Sequence, residues 1–200
     1  MGGEKPKKEG FDGARKRAKT STSSFGVSRR ESHDASTYYN SRINKGIASQ
    51  RDVGEPQELP ETFRNVVLTG DARENPLPDN CVQLVVTSPP YNASKAYDDD
   101  LTLDEYLKLL HDVFAECYRV LSPGGRMVVN VANLGRKPYI PLSTYINSMM
   151  IELGFLMRGE IIWDKSASAG SSCAWGSFQS ASNPCLRDIH EYLLVFSKGD

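Results

Sequence analysis

The chain has 200 residues, 39% hydrophobic and 24% charged, with a formal net charge of −1. That apolar share supports one globular domain and excludes a wholly disordered chain, and no apolar run approaches the roughly 18 to 20 residues that span a bilayer, so the sequence predicts a cytoplasmic protein with no membrane partner. The charge is uneven, because residues 1–60 hold 12 Lys and Arg against 8 Asp and Glu while the remainder holds 12 against 17, which sets a basic arm ahead of a mildly acidic domain.

Residues 1–60 are rich in Lys, Arg, Ser, Gly and Glu and show neither a helical nor a strand period, so a disordered arm is expected. Within it, SSFGVSRRESHDASTYYNSRI interleaves Phe25, Tyr38 and Tyr39 with Arg29, Arg30 and Arg42. Aromatics among guanidiniums suit stacking on bases and gripping phosphates, which makes the three arginines candidate DNA contacts. A solvated, lysine-rich tail is the plainer alternative.

From Asn65 the pattern changes. Val66-Val67-Leu68 reads as a short strand stopped by Thr69-Gly70-Asp71, and Asn80 to Val86 as a longer buried strand that delivers TSPPYN, Thr87 to Asn92. Thr102 to Glu105 has the spacing of a capping box, and Tyr106, Leu107, Leu110, Val113, Phe114, Cys117, Val120 and Leu121 continue it as an amphipathic helix of about five turns. Ser122-Pro-Gly-Gly125 stops that helix, and Arg126 to Val131 forms the next strand. Leu142 to Leu153 predicts a second helix, ended by Gly154. Ile161 to Trp163 and Tyr192 to Phe196 supply two more strands, separated by a loop of roughly 25 residues, a length that marks functional or mobile segments. This alternation predicts an α/β sheet with mostly parallel neighbours. Ligands of such sheets bind outside the carboxyl ends of the strands, where TSPPYN and Thr69-Gly70-Asp71 are both expected.

Pro89 and Pro90 fix two backbone φ angles and remove two N–H donors, and Pro89 drives Ser88 into an extended conformation. The product is a stiff turn with bare carbonyls. A simple strand-ending turn is the bland alternative. The four cysteines, Cys81, Cys117, Cys173 and Cys185, form no C-x-x-C pair and have no histidines at zinc spacing, so reduced thiols and no metal site are expected. Asp98-Asp99-Asp100 reads as a solvated run leading to the Thr102 cap rather than a metal site, and His111 as a residue of the helix surface or core edge.

LVVTSPPYN after a strand, VLSPGGRMVVNV after a helix, GEIIWDKS and NPCLRDIHEYLLVFSKG together resemble the catalytic part of the amino-group DNA methyltransferases in which the catalytic motif precedes the cofactor motif. The resemblance covers about Asn65 to Gly199. It implies a Rossmann-like methyltransferase sheet, S-adenosylmethionine as cofactor, and double-stranded DNA as partner. Ser88, Pro89, Pro90 and Tyr91 then correspond to the catalytic turn, Asp71 to an acidic residue near the adenosyl group (or, as a local reading, a turn or cap residue), and Asn92 joins the DNA-facing set. His190 and Glu191 match a recurrent segment of the family and are expected to be structural.

The chemistry of these residues is consistent with that family. An exocyclic base amine is a poor nucleophile because its lone pair is delocalised into the ring, so a catalyst gains by holding the amine hydrogens and favouring a more tetrahedral nitrogen. Ser88 Oγ and the Pro89 carbonyl are suitable acceptors, kept from relaxing by the prolines, and Tyr91 offers a face for a base extruded from the duplex. Serine ahead of Pro-Pro-Tyr resembles the cytosine-N4 enzymes, with adenine-N6 as the alternative. Pro184-Cys185 resembles the nucleophilic dipeptide of cytosine-C5 enzymes, a rival reading weakened by Leu186 and by its place in a long loop. The family's glycine-rich cofactor loop belongs after the YLLVF strand, and no Gly-x-Gly occurs in the chain. An incomplete sheet is therefore expected, in a fragment, in a chain completed by a second chain or a C-terminal segment, or in a non-catalytic remnant that only binds DNA.

Overall fold

Thr102 accepts the Glu105 N–H at 3.3 Å while the Glu105 carboxylate takes the Thr102 N–H at 2.9 Å, a reciprocal cap that starts helix α1 (Leu103–Val120) and stabilises it by about 1 kcal/mol. This is a computed structural model, which describes residues 41–44, 53–91, 101–134, 138–165, 174–175, 185–186 and 188–199. The chain divides into two units, residues 1–47 and 48–200. In the first, Arg42–Asn44 makes one turn of 3-10 helix.

In the second unit, strand β1 (Val82–Thr87) pairs in parallel with β2 (Leu121–Val131), helix α2 (Leu142–Leu153) follows, and β3 (Leu156–Asp164) and β6 (His190–Ser197) complete a four-stranded sheet of order β1-β2-β6-β3. Between β3 and β6 the long loop contains a two-residue antiparallel ladder, β4 (Ala174–Trp175) with β5 (Cys185–Leu186). The fold is the expected Rossmann-like α/β class, with one difference in the sheet. β6 is antiparallel to both its neighbours, so β1, β2 and β3 run one way and only β1 and β2 are parallel partners. The long loop accounts for this, because it returns the chain beside the end of β3 instead of carrying it back across the sheet through a helix.

The helices cover one face. Tyr106, Leu110 and Phe114 of α1 and Leu142, Ile146 and Met150 of α2 pack against Met127, Val129, Val131, Leu194 and Phe196 in one core. Strand alternation puts Leu84, Val86, Ile161 and Trp163 on the opposite face, where each is more than half exposed. β2 begins at Leu121 rather than Arg126, and Ser122-Pro-Gly-Gly125 forms a bulge inside it, which Gly124 enters at φ 73°. Gly154 ends α2 as expected, at φ 105°. Val66-Val67-Leu68 does not form a strand. It runs as irregular backbone, with Val67 97% exposed, paired to no described strand, and three apolar residues cannot hold an extended chain alone.

Two polar clusters anchor β1. Arg119 grips Glu116 through Nε and Nη2 at 2.8 and 2.6 Å, and reaches Asp79 at 2.6 Å and the Leu77 carbonyl at 2.9 Å, which pins the approach to the strand onto α1. Asn80, in the left-handed conformation that asparagine tolerates, donates to the carbonyls of Val53 and Glu55 and accepts from Lys198 Nζ at 2.5 Å. The composition boundary at residue 60 thus falls within a segment, Val53 onward, that is tied to the domain. Lys198 is buried, and its Nζ also bonds the Tyr118 carbonyl at 2.7 Å, so it caps the C-terminus of α1, where the macrodipole favours a cation.

Candidate active site

Where β1 ends, the chain turns through Ser88, Pro89, Pro90 and Tyr91, with Ser88 and Pro90 exposed and Tyr91 partly buried against the core. The turn is fixed from outside as well as by its prolines, since Tyr106 of α1 donates its hydroxyl to the Pro90 carbonyl at 2.6 Å. No hydrogen bond to the Pro89 carbonyl is found among the described residues.

Because β6 is antiparallel, its first residues lie beside the C-terminal ends of β1, β2 and β3. That topology gathers five polar side chains. Glu191 receives the Lys165 ammonium in a close ion pair, the Asn130 amide at 2.8 Å and the Tyr91 hydroxyl at 3.4 Å, and the Asn130 amide also reaches Ser88 Oγ at 3.4 Å. Burial pushes the Glu191 carboxyl up, but Lys165 and Asn130 outweigh it and the net shift is downward, so the group is an anion at neutral pH. Burial first, then the Glu191 charge, holds the Tyr91 phenol above its ordinary value. Asn130 Oδ1 is buried with no hydrogen-bond partner.

Of the residues singled out from the sequence, the structure brings Ser88 and Tyr91 into one network and ties Pro90 to α1. Asp71 sits apart in an exposed turn. Its carboxylate takes the Arg73 backbone N–H at 2.9 Å and both oxygens face the Arg73 guanidinium, whose hydrogen bonds lower the Asp71 carboxyl to about 2. No described contact links Asp71 to the Ser88 turn. Arg42 is exposed on the 3-10 turn of the first unit. Arg29, Arg30, Asn92 and Asp98-Asp99-Asp100 lie outside the described residues. His111 is part-exposed beside Asp112. His190 stacks edge-on against Tyr192 at 4.8 Å. Among the described residues no group of three or more His, Cys, Asp or Glu could hold a metal.

Tyr106, Asn130 and Lys165 were not legible as site residues. A weak signal existed for one of them, since Asn130 is the one polar residue inside the apolar run Met127 to Val131.

Among the described residues, no glycine turn able to approach the methionine end of a cofactor is found at this edge. Gly124, Gly154 and Gly199, all at positive φ, lie at the opposite edge, at the starts of β2 and β3 and the end of β6. With the Asp71 carboxylate engaged by Arg73, the described residues at this edge offer hydrogen-bond acceptors at the end of β1 but not a complete S-adenosylmethionine cradle.

The family model described as DNA methylase, N6_N4_Mtase, matches residues 82–200. The type II methyltransferase M.BglII of Bacillus subtilis is 37% identical over 112 residues, which cover 54% of this chain and 31% of that protein. M.MjaVI of Methanocaldococcus jannaschii is 32% identical over 126 residues, 61% of this chain and 64% of that one. Among solved structures, TTHA0409 of Thermus thermophilus, crystallised with S-adenosyl-L-methionine, matches at TM-score 0.51 and 30% identity over 66% of this chain and 54% of its own. The chain thus spans about half the length of that solved relative and less than a third of M.BglII.

Proposed function

Since the chain belongs to the N6/N4 amino-group DNA methylase family, we propose that it carries the target-base side of a type II DNA methyltransferase site and directs methyl transfer to the exocyclic N4 of cytosine in a flipped base. The observation that carries this reading is the turn at the end of β1, in which Ser88 is exposed, the Pro89 carbonyl has no described partner, and Tyr106 holds the neighbouring Pro90 carbonyl in place. Two acceptors on a backbone that cannot relax suit an amine with two hydrogens to hold. Their effect is to favour the pyramidal nitrogen on which charge develops as the new N–C bond forms.

S-adenosylmethionine, the methyl donor of the family, supplies an already activated sulfonium methyl group, so neither a covalent nucleophile nor a metal is required of these residues. Within this reading Ser88 and Pro89 orient the amine, Pro90 and Tyr106 keep the turn stiff, and the exposed part of Tyr91 packs on the extruded base. Serine at the first position of the turn supports cytosine over adenine. Asn92, Arg29, Arg30 and Arg42 belong to the DNA-facing set, and Asp71 to the cofactor side.

Incubation with duplex DNA and methyl-labelled S-adenosylmethionine, followed by nucleoside analysis, tests the reading. N4-methylcytosine is expected. N6-methyladenine in its place rejects the choice of base, and unlabelled DNA with retained DNA binding supports the non-catalytic alternative. Activity surviving Cys185→Ser is expected as well, and a folded but inactive variant would revive covalent catalysis.

A further inference from the structure

The parallel pairing of β1 with β2 sets Thr87 beside Val129, so the next residues along, Ser88 and Asn130, meet just beyond the end of β1. Val129 and Val131 are buried beneath the helices, and strand alternation therefore puts Asn130 on the other face, the one where Leu84 and Val86 are exposed and which Ser88 continues. There Asn130 Nδ2 donates to Glu191 Oε2 at 2.8 Å and reaches Ser88 Oγ at 3.4 Å. One NH2 group divides its two protons between two strand ends.

This amide has a single tenable orientation. Glu191 is held as an anion by its close pair with Lys165, and an ionised carboxylate only accepts. Turning the amide over would press Oδ1 against Glu191 Oε2 and leave Ser88 without a donor. The orientation that results is not the one that satisfies the whole side chain, because Asn130 Oδ1 stays buried with no hydrogen-bond partner among the described residues. The nitrogen is placed and the oxygen is left unpaired. Ser88, by contrast, is exposed, and the prolines that stiffen its backbone do not fix rotation about its own Cα–Cβ bond. The Asn130 amide supplies that missing restraint. It takes one lone pair of Oγ and leaves the second for another donor.

We propose that Asn130, oriented by the Glu191–Lys165 pair, is a positioning residue that fixes the Ser88 hydroxyl oxygen where the substrate amine meets it. The proposal rests on the amino-methyltransferase reading above. It assigns Asn130 a role in the chemical step and not in DNA binding.

Asn130→Ala removes the donor and frees the Ser88 side chain. The turnover number kcat is expected to fall about tenfold, with KM for DNA changed less than about twofold. Because Asn130 acts through Ser88, the double variant with Ser88→Ala should be no slower than Ser88→Ala alone. A folded Asn130→Ala protein with wild-type kcat, or single-variant losses that multiply in the double variant, overturns the proposal. NMR of the Asn130 side-chain NH2, assigned through its own backbone, reads the same contact without any change at Asn130. Ser88→Ala should move one of its two proton signals and leave the other, held by Glu191, in place. Two unmoved signals overturn the link. A wild-type chain that methylates no DNA instead overturns the functional reading, and these two signals then decide whether Asn130 holds Ser88.

Discussion

The hydroxyl of Tyr106, on the first turn of α1, lies 2.6 Å from the carbonyl of Pro90, across 16 residues of chain. The capped helix therefore locks a turn that its prolines only stiffen. Tyr106→Phe should leave the fold in place at a cost of about 1 kcal/mol, since one neutral hydrogen bond is removed. Methyl transfer should fall more than stability does, by about tenfold, because the acceptors lose their fixed position. Thermal unfolding and single-turnover rates measured on the same preparation check both halves.

Arg119 should be the more costly residue. It joins Glu116 and Asp79 to the carbonyls of Asn75 and Leu77, so Arg119→Met should lower stability by about 2 kcal/mol at pH 7, a modest figure because the pair is partly exposed. The loss should depend on pH. The hydrogen bonds of Arg119 hold the Glu116 carboxyl below its usual 4.5. A carboxyl depressed in the folded state stabilises above its unfolded value and loses that contribution as pH falls through the folded one. The gap between wild type and variant, read by urea denaturation, should shrink below about pH 4.5.

Lys198→Met tests the edge remote from the proposed chemistry. It removes a cation from the C-terminus of α1 and leaves Asn80 Oδ1 and the Tyr118 carbonyl without their donor. A loss of about 2 to 3 kcal/mol is expected, while the Tyr91 and Glu191 network stays unchanged, which tyrosine NMR would register.

Deleting residues 1–47, the first unit, should weaken binding to duplex DNA and flatten its dependence on salt. Each phosphate that the arm no longer neutralises should reduce the slope of log K against log salt by about 0.9. Fluorescence anisotropy across a salt series measures it, and an unchanged slope makes the arm a solvated tail.

Local chemistry was readable wherever it is written in neighbouring residues. The Thr102–Glu105 cap, the period of α1, the end of α2 at Gly154 and the stiffness of Ser88-Pro89-Pro90-Tyr91 all depend on spacings of four residues or fewer, and the sequence by itself determined them. Val66-Val67-Leu68 had the right composition for a strand and is not one, since a strand needs a partner edge, which is a property of the sheet and not of the segment. Tertiary structure alone decided the antiparallel entry of β6, and with it the site. Ser88, Asn130, Lys165 and Glu191 are spread over about a hundred positions and meet only because β6 runs against β1, β2 and β3, which brings its first residues to their last. A hydrogen bond reports on about 3 Å of space, and no local pattern in a chain encodes which distant strand end will occupy it.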